Sequence, residues 1–266
     1  METPEKIKKL VQEKYSGIVI QNEKTSGSCG CGCSETIDYS IMSEDYSKLK
    51  GYAPEADLGL GCGLPTQYAF IRPGDTVVDM GSGAGNDCFI AVGETGENGK
   101  VIGIDMTEAM VRKARINVDK MGYKNIEFHL AEIENTPLKE NSADIVVSNC
   151  VFNLSPDKSA AFRETFRILR PGGHFSISDI VTDGVLPEAL FKEAEMYAGC
   201  VAGALREDQY LDIIRQTGFQ DINIMKKRKI DLPWEILEKY GVAEELRKEG
   251  GTGIYSITVF AKKPQN

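Results

Sequence analysis

The 266-residue sequence lacks three features that would each indicate a class of function. No apolar run approaches the roughly 18 residues that are needed to span a bilayer. The first residues, METPEKIKKLVQEKYSG, lack the apolar segment of a signal peptide. Basic side chains are outnumbered by acidic ones, 31 to 40, so the surface would repel a phosphate backbone. We therefore expect a cytoplasmic protein that binds neither nucleic acid nor membranes.

Histidine is also scarce, whereas cysteine is not. The two histidines, His129 and His174, fall in predicted strands, and we interpret both as structural. An enzyme that deprotonates a hydroxyl group usually has a better-placed base. The seven cysteines form an odd set, and in a reducing compartment cysteines serve as ligands or nucleophiles more often than as disulfides. The cysteines therefore need a functional explanation.

Strands alternate with helices from residue 72 onward. Predicted strands cover residues 76–80, 100–105, 126–130, 144–148 and 174–181, and predicted helices cover 87–92, 107–121 and 158–169, with Thr107 as a side-chain N-cap and a turn at 170–173. This alternation is typical of βαβ units around a parallel sheet. The sequence therefore predicts an α/β fold.

The pattern changes on both sides of this region. Residues 1–28 indicate an amphipathic helix followed by a polar stretch from Gln21, and we expect residues 1–66 to form a cysteine-containing segment and cap. After Pro187 we predict helices at 187–198 and 207–217, then strands at 221–226 and 255–261 around a helical insertion at 234–248. Two neighbouring strands without a full crossover helix indicate an antiparallel edge on the sheet.

A glycine-rich loop follows the first predicted strand. It contains Gly81, Gly83 and Gly85 and lies where an open α/β sheet binds its ligand. Glycines let the backbone turn tightly and approach a ligand closely. Asp105 ends the second predicted strand, where a carboxylate can accept hydrogen bonds from ribose hydroxyls. A plain strand-to-helix turn is the alternative interpretation of the loop alone, but together with Asp105 the loop predicts a site for a nucleoside-containing cofactor.

Two residues distinguish between nucleoside cofactors. The dinucleotide fingerprint requires glycine or alanine at its sixth position, and Asn86 occupies that position here. Asp79 lies two residues before Gly81, where its carboxylate would repel a pyrophosphate but would attract the ammonium group of a methionine moiety. Both residues weigh against a nicotinamide dehydrogenase.

The loop and the acidic strand ends resemble those of the class I S-adenosylmethionine-dependent methyltransferases. The resemblance implies a Rossmann-like fold with a mostly parallel seven-stranded sheet, an antiparallel edge strand, an N-terminal cap and a C-terminal insertion, with residues 67–266 as the methyltransferase domain. It implies that Asp79 lies near the methionine end of the cofactor, Asp105 near the ribose and Glu132 near the adenine. The expected cofactor-binding residues are Asp79, Gly81, Ser82, Gly83, Asp105, Met106, Glu132, Ile133 and Asn149.

Three cysteines occupy distinctive positions. Cys150 directly follows the fourth predicted strand, so the topology places it at the ligand-binding edge of the sheet. Cys62 and Cys200 lie in glycine-containing segments that are suited to closing over that edge. Because a buried cysteine is often only a small apolar residue, the residue types alone leave both interpretations open.

The sequences around these cysteines resemble the arsenite S-adenosylmethionine methyltransferases of bacteria and archaea. The matching blocks are the glycine loop with Asp87-Cys88-Phe89, Gly61-Cys62-Gly63, residues 148–156 and residues 197–204, within a region of similarity from Asp57 to Phe219. The resemblance implies that arsenite, or its thiol conjugate, is the substrate. It also implies that Cys62, Cys150 and Cys200 are the arsenic ligands and catalytic residues.

Arsenic chemistry fits the scarcity of candidate bases. Trivalent arsenic is soft, so thiolates are its natural ligands, and three of them leave a lone pair on a pyramidal centre. That lone pair can attack a sulfonium methyl group in line, which requires positioning rather than proton transfer. Because the attack oxidises arsenic, we expect a thiol reductant, thioredoxin or glutathione, to restore the trivalent state.

The other cysteines have less definite roles. Cys29, Cys31 and Cys33 do not match the spacing of a zinc site, and we hypothesise that they capture arsenite or relay disulfides, with incidental thiols as the alternative. Cys88 is expected to pack in the core or to pair with Cys62. Tyr46, Tyr52 and Tyr197 are candidates for the wall of the cofactor or substrate cavity, because aromatic faces attract a sulfonium, or for ordinary core packing.

Two alternatives to arsenite methylation remain open from the sequence. The first is a methyltransferase for another small molecule, such as a quinone carbon, in which the cysteines are incidental. The second is a non-catalytic sensor of arsenic or a soft metal that merely binds adenosylmethionine. Both would retain the cofactor loop.

Overall fold

The computed structural model describes residues 3–25, 42–187, 189, 201, 203–239, 241–247 and 251–265. Its centre is a sheet in the order β3-β2-β1-β4-β5-β8-β7, with the short β6 pairing to β5. The strands are β1 (Thr76–Met80), β2 (Lys100–Asp105), β3 (Ile126–Leu130), β4 (Ala143–Asn149), β5 (Leu169–Thr182), β6 (Leu205–Arg206), β7 (Gln220–Ile230) and β8 (Ile254–Lys262). This arrangement confirms the predicted α/β fold.

Helices cover both faces of the sheet. They are α1 (Pro4–Thr25), α2 (Asn86–Thr95), α3 (Glu108–Met121), α4 (Lys158–Ile168), α5 (Glu207–Thr217), α6 (Trp234–Lys239) and α7 (Ala243–Arg247). Successive residues of β1 point to opposite faces, so Val78 packs in the cluster with Phe162 of α4, whereas Val77 packs with Ala91 of α2. A strand that is buried on both faces reads as a continuous apolar run, which explains why β1 was recognisable from the sequence.

The pairings of β1 to β6 are all parallel, and β8 supplies the antiparallel ones. β8 lies between β5 and β7 and runs antiparallel to both. The antiparallel pairing was predicted from the missing crossover helix. The antiparallel strand itself lies one position in from the edge of the sheet, and β7 forms the edge.

Two of the local differences between prediction and structure have a clear physical cause. β5 begins at Leu169 rather than at His174, because the predicted turn at 170–173 is accommodated as an irregularity between the Ala143–Leu169 and Ile145–His174 pairs. Thr107 is the N-cap residue of α3, but its side chain makes no capping bond and its hydroxyl instead bonds to Asp105. A carboxylate that closely precedes the helix therefore competes for the hydroxyl group.

The segment before the sheet packs over the carboxyl ends of the strands. α1 contacts α3, and Tyr15 and Val19 of α1 pack with Met110 of α3. Residues 42–66 continue across the same edge, where Tyr46 packs with Leu64 and Ile90. None of the helices in the described parts of the chain is long and apolar enough to cross a membrane.

Candidate functional site

A cleft opens at the carboxyl ends of β1, β2 and β4, beneath α1 and the segment of residues 42–66. Eight of the nine residues predicted to bind the cofactor line it: Asp79, Gly81, Ser82, Gly83, Asp105, Met106, Ile133 and Asn149. Cys150 lines the same cleft. The edge of the sheet that the topology identifies as the ligand-binding edge therefore gathers both the predicted cofactor residues and one predicted arsenic ligand.

The glycine loop brings the backbone close to its neighbours. Gly81 has φ of +82°, and a Cβ atom there would lie 2.3 Å from a methyl group of Val151, so only glycine fits. The next glycine, Gly83, donates its N–H to Asp105 Oδ2 at 2.9 Å, while Thr107 N–H donates to Asp105 Oδ1 at 2.8 Å. The loop after β1 is thereby tied to the end of β2.

Three of the aspartates that line the cleft bring their carboxyl groups together in a buried place. Asp79 and Asp87 are buried. Burial and the neighbouring carboxylate raise the pKa of Asp79 well above its usual value, and burial raises the pKa of Asp87 to about 6. Burial also raises the pKa of Asp105. Within the described residues no ion pair to any of the three is present, so a cation entering the cleft would be attracted to them.

The cleft residues fit S-adenosylmethionine. Among the residues that the structure describes, buried Ser82 Oγ, Asn86 Oδ1 and Asp87 Oδ1 have no hydrogen-bond partner, although buried polar atoms normally have one. All three belong to the lining of the cleft. Adenosylmethionine offers an ammonium donor, a sulfonium cation and ribose hydroxyls, which are the groups that such acceptors and carboxylates require.

Cys88 has a polar contact in addition to its packing. Its thiol is free and buried at the start of α2, and it donates to Asp79 Oδ2 at 3.3 Å. Burial and Asp79 raise the pKa of the thiol, so it stays protonated as a donor. Cys62 is also a free thiol, and the two cysteines are therefore not paired with each other.

Glu132 is the predicted cofactor residue that does not line the cleft. Its Oε2 accepts from Lys8 Nζ of α1 at 2.6 Å, and Lys8 also lies 3.1 Å from Glu134 Oε1. Glu134 lines the cleft. Gln12, one helical turn beyond Lys8, donates its Nε2 to the carbonyl of Met106 at 2.9 Å. These bonds fasten α1 to the rim of the cleft.

Cys62 and Cys150 lie close to each other in the fold. Both are buried and belong to one apolar cluster with Val201 and Leu154, and both contribute to the electrostatic environment of Tyr210. Cys62 N–H donates to Asn149 Oδ1 at 2.9 Å, so the backbone of one cysteine contacts the residue next to the other. The two thiols therefore share one region beside the cleft.

Several predicted residues lie outside the described ones: Cys29, Cys31, Cys33, Tyr197, Cys200 and most of the predicted helix 187–198. Among described residues, no group of three or more His, Cys, Asp or Glu side chains is arranged to hold a metal ion. The arsenic-ligand set of Cys62, Cys150 and Cys200 therefore stays a prediction.

The two histidines and two of the candidate tyrosines differ in whether they line the cleft. His129 contacts Glu127 on β3, and His174 bonds to the carbonyl of Ala69, with burial lowering the pKa of the ring. Neither histidine is among the residues that line the cleft. Tyr46 lines the cleft, whereas Tyr52 bonds to Asp57 Oδ2 at 3.1 Å.

Sequence reasoning missed the contribution of α1. Lys8, Val11 and Tyr15 line the cleft, and the helical spacing of these residues was the available signal. The amphipathic pattern predicts that one face of α1 is buried, but it does not say against what. Asp87, which was quoted as part of the glycine block, was not recognised as a cleft carboxylate.

Comparisons with known proteins identify the family of this chain. Residues 71–218 match the model of a family described as a methyltransferase domain. An arsenite methyltransferase of Halobacterium salinarum is 39% identical over 98% of this chain and 68% of its own length. Another, from Aquipseudomonas alcaligenes, is 31% identical over 87% of this chain and 68% of its length.

A solved structure gives the same result. The arsenic(III) S-adenosylmethionine methyltransferase CrArsM of Chlamydomonas reinhardtii superposes with a TM-score of 0.66 and 35% identity, covering 77% of this chain and 68% of that one. The chain therefore belongs to the arsenite methyltransferase family of S-adenosylmethionine-dependent methyltransferases, and membership of this family makes S-adenosylmethionine the methyl donor.

Proposed function

We propose that this protein methylates trivalent arsenic, using S-adenosylmethionine and holding the arsenic on the thiolates of Cys62, Cys150 and Cys200. The observation that carries the proposal is the position of Cys150, which lines the same cleft as Asp79 and Asp105. A soft ligand on the Cys150 sulfur would sit at the methyl-donating end of that cleft. The arsenite activity of the relatives supports the same substrate.

The residues of the cleft would position the two reactants rather than activate a nucleophile by removing a proton. Asp79 and Asp87 would hold the ammonium group of the methionine moiety, and Asp105 would bind the ribose hydroxyls. Adenosylmethionine supplies a methyl group on a cationic sulfur. The arsenic lone pair would attack that carbon, so no proton needs to leave the substrate, and alignment of the two reactants supplies much of the rate.

Burial of the thiol region favours the reaction. Cys62 and Cys150 lie among apolar side chains, and such an environment excludes water from the approach to a reactive methyl group. Methyl transfer leaves the sulfur of adenosylmethionine as a neutral thioether and raises the oxidation state of arsenic by two. Two thiols, from the protein or from thioredoxin or glutathione, would return the two electrons and become a disulfide.

The deciding experiment is to incubate the full chain with adenosylmethionine, arsenite and a thiol and to resolve the arsenic species by mass spectrometry. We expect methylated arsenicals from the wild-type protein and a loss of at least about 100-fold from Cys150→Ser, because a hydroxyl is a poor ligand for a soft ion. Adenosylmethionine binding by the same variant, measured by calorimetry, is the matched control and should be preserved.

Other outcomes would identify the rival functions. Activity on another small molecule such as a quinone, retained by Cys150→Ser and without methylated arsenic from the wild-type protein, would indicate a different small-molecule methyltransferase. Full arsenic methylation by Cys150→Ser would remove Cys150 from the proposed ligands. Binding of both arsenite and adenosylmethionine by the wild-type protein without any methylated product would indicate a sensor.

We also propose that Cys29, Cys31 and Cys33 capture arsenite or relay disulfides to the site. They follow α1, and α1 is bonded to the rim of the cleft through Lys8 and Gln12. Replacing all three cysteines by serine should weaken arsenite binding or slow turnover at limiting thiol. Unchanged affinity and turnover would leave them as incidental thiols.

A further inference from the structure

The side chain of Asn149 connects β4 to the loop that carries Cys62. Its Oδ1 accepts from Cys62 N–H at 2.9 Å and from Gly63 N–H at 3.2 Å. Its Nδ2 donates to the Gly63 carbonyl at 2.8 Å. One amide thus satisfies three backbone groups of two adjacent residues, as a neighbouring strand would.

The loop fits against Asn149 without spare room. A Cβ atom at Gly61 would lie 2.6 Å from Asn149 Nδ2, and a Cβ atom at Gly63 would lie 2.5 Å from Ser178 Oγ. The Cys62 carbonyl accepts from the Ser256 hydroxyl of β8 at 2.5 Å. Both backbone groups of Cys62 are therefore held from opposite sides, and the glycines allow the loop to approach this closely.

Cys150 is fixed by the same stretch of backbone. Its φ of +61° is in the left-handed region that residues other than glycine rarely adopt, and its N–H donates to the Ser178 carbonyl at 2.8 Å. Such a conformation persists only where its surroundings impose it. Asn149 and Cys150 are consecutive. A single planar peptide bond therefore joins the residue that holds the Cys62 loop to the residue that carries the second thiol.

The same amide reaches the cofactor cleft. Asn149 Nδ2 bonds to the Tyr46 hydroxyl and lies 3.2 Å from Asp87 Oδ2. The Tyr46 hydroxyl lies 2.9 Å from the Gly63 carbonyl oxygen and 3.0 Å from Asp87 Oδ2. These bonds occupy Oδ2 of Asp87. Asn149 and Asp87 both line the cleft, so the amide that holds the Cys62 loop also contacts a carboxylate of the cofactor cleft.

We propose that Asn149 is a positioning residue that sets the separation of the Cys62 and Cys150 thiols, so that both can bind one trivalent arsenic. This role rests on the proposed function and differs from the direct cofactor contact expected from the sequence. Partners that orient metal ligands usually contribute about 10- to 100-fold to affinity. The amide of Asn149 acts on the Cys62 ligand through its backbone.

The test uses phenylarsine oxide as a probe that requires two thiols. In its reaction two sulfurs bond to arsenic, and the arsenic oxygen leaves as water with the two thiol protons, so arsenic remains trivalent and no reductant is needed. The parent protein is the full chain with Cys29, Cys31, Cys33 and Cys200 replaced by serine. We expect it to bind one equivalent, and an added Cys150→Ser replacement to abolish that binding.

Variants of Asn149 in this parent give the decisive comparison. Asn149→Ala should weaken phenylarsine oxide binding by about 10- to 100-fold, measured by calorimetric competition with a small dithiol. Asn149→Asp keeps acceptors for the two N–H groups but loses the donors, so its affinity should lie between those of the parent and the alanine variant. Tyr46→Phe removes one hydroxyl and should give a smaller loss.

Asn125→Ala is the matched control. Asn125 also holds a loop through its amide, donating to the carbonyls of Gly96 and Gly99 at 2.9 and 3.0 Å, but at the opposite edge of the sheet. Thermal unfolding of both alanine variants separates global destabilisation from a local effect, and Asn125→Ala should retain the parent's affinity.

The proposal is overturned if Asn149→Ala binds the probe like the parent, if Asn125→Ala loses as much affinity, or if the parent with Cys62 and Cys150 intact does not bind it. None of these results depends on turnover. Failure of the proposed function would instead appear as absence of methylated arsenic from the wild-type protein.

Discussion

The two halves of the site treat their polar groups in opposite ways. In the cofactor half, buried acceptors such as Ser82 Oγ and Asp87 Oδ1 have no partner among the described residues, and three carboxylates lie near one another. In the thiol half, the backbone groups of Cys62 are bonded to Asn149 and Ser256 among apolar side chains. The first half is built for a polar, cationic ligand, and the second holds soft ligands in place before the substrate arrives.

This contrast indicates how one fold binds reactants of unlike chemistry. Burying carboxylates without a cation raises their pKa and destabilises the ligand-free protein, so a cationic ligand recovers that free energy on binding. A thiol site needs no charged partner, because sulfur tolerates an apolar environment. Its requirement is geometric, and backbone hydrogen bonds provide the geometry.

The largest expected effect is in the cofactor half. Asp79→Asn should weaken adenosylmethionine binding at pH 8 by roughly 2–3 kcal/mol, because a buried charge-assisted bond to the ammonium group is lost. Titration calorimetry of wild-type and variant protein measures this. Asp75→Asn is the control, since Asp75 bonds to Arg72 N–H away from the cleft. Equal affinities for wild type and Asp79→Asn would remove the distinction between the two halves.

The next effect tests the thiol half. Gly63→Ala would place a Cβ atom 2.5 Å from Ser178 Oγ, and such overpacking costs about 1–3 kcal/mol of unfolding free energy. Gly17→Ala in α1, where nothing lies within 4 Å, should instead stabilise the helix by up to about 1 kcal/mol. Urea denaturation distinguishes the two. If Gly63→Ala were as stable as the wild type, the loop would not be tightly held.

The smallest effect is a pH dependence restricted to the cofactor half. Burial raises the pKa of Asp87 to about 6, so below that pH the carboxyl is protonated and must release its proton to bind a cation. Adenosylmethionine affinity should therefore fall by at least about tenfold, or 1.4 kcal/mol, per pH unit below 6. Because burial raises the pKa of Asp79 as well, the affinity should level off only once that carboxyl is also ionised.

Calorimetry at pH 5 to 8, in buffers of different ionisation enthalpy, would measure both the affinity and the proton release. Adenosine, which lacks the methionine moiety, serves as the control and should bind independently of pH over this range. If the affinity for adenosylmethionine did not change with pH and no proton were released, the carboxylates would not bind the ammonium group.

Much of the fold could be predicted because the signals were local. The bounds of β1, β2, β3 and α5 agree with the sequence prediction, since each is a run of buried or alternating residues between turn signals. β7 extends beyond its predicted end at Lys226 to Ile230, because Lys and Arg residues are tolerated on an edge strand although they do not resemble a core strand.

The contacts of the site could not be predicted, because they join residues that are far apart in the sequence. The Lys8–Glu132 bond joins residues 124 positions apart, and it gives Glu132 a partner that no local pattern indicated. Asn149 was recognised as a polar strand end, but its bonds to the Cys62 loop span 86 or 87 positions. Local spacing identifies which residues reach an edge of the sheet, and only the folded arrangement shows what each one contacts.

The place of β8 between β5 and β7 indicates that the thiol site forms late in folding. β8 is synthesised after every other described strand, yet it inserts between β5 and β7 and supplies the Ser256 bond to Cys62. Cys62 and Cys150 are therefore synthesised before the strand that completes their surroundings. Contacts of such high sequence separation form slowly. We therefore expect the thiols of the nascent protein to stay exposed until β8 has paired with β5 and β7.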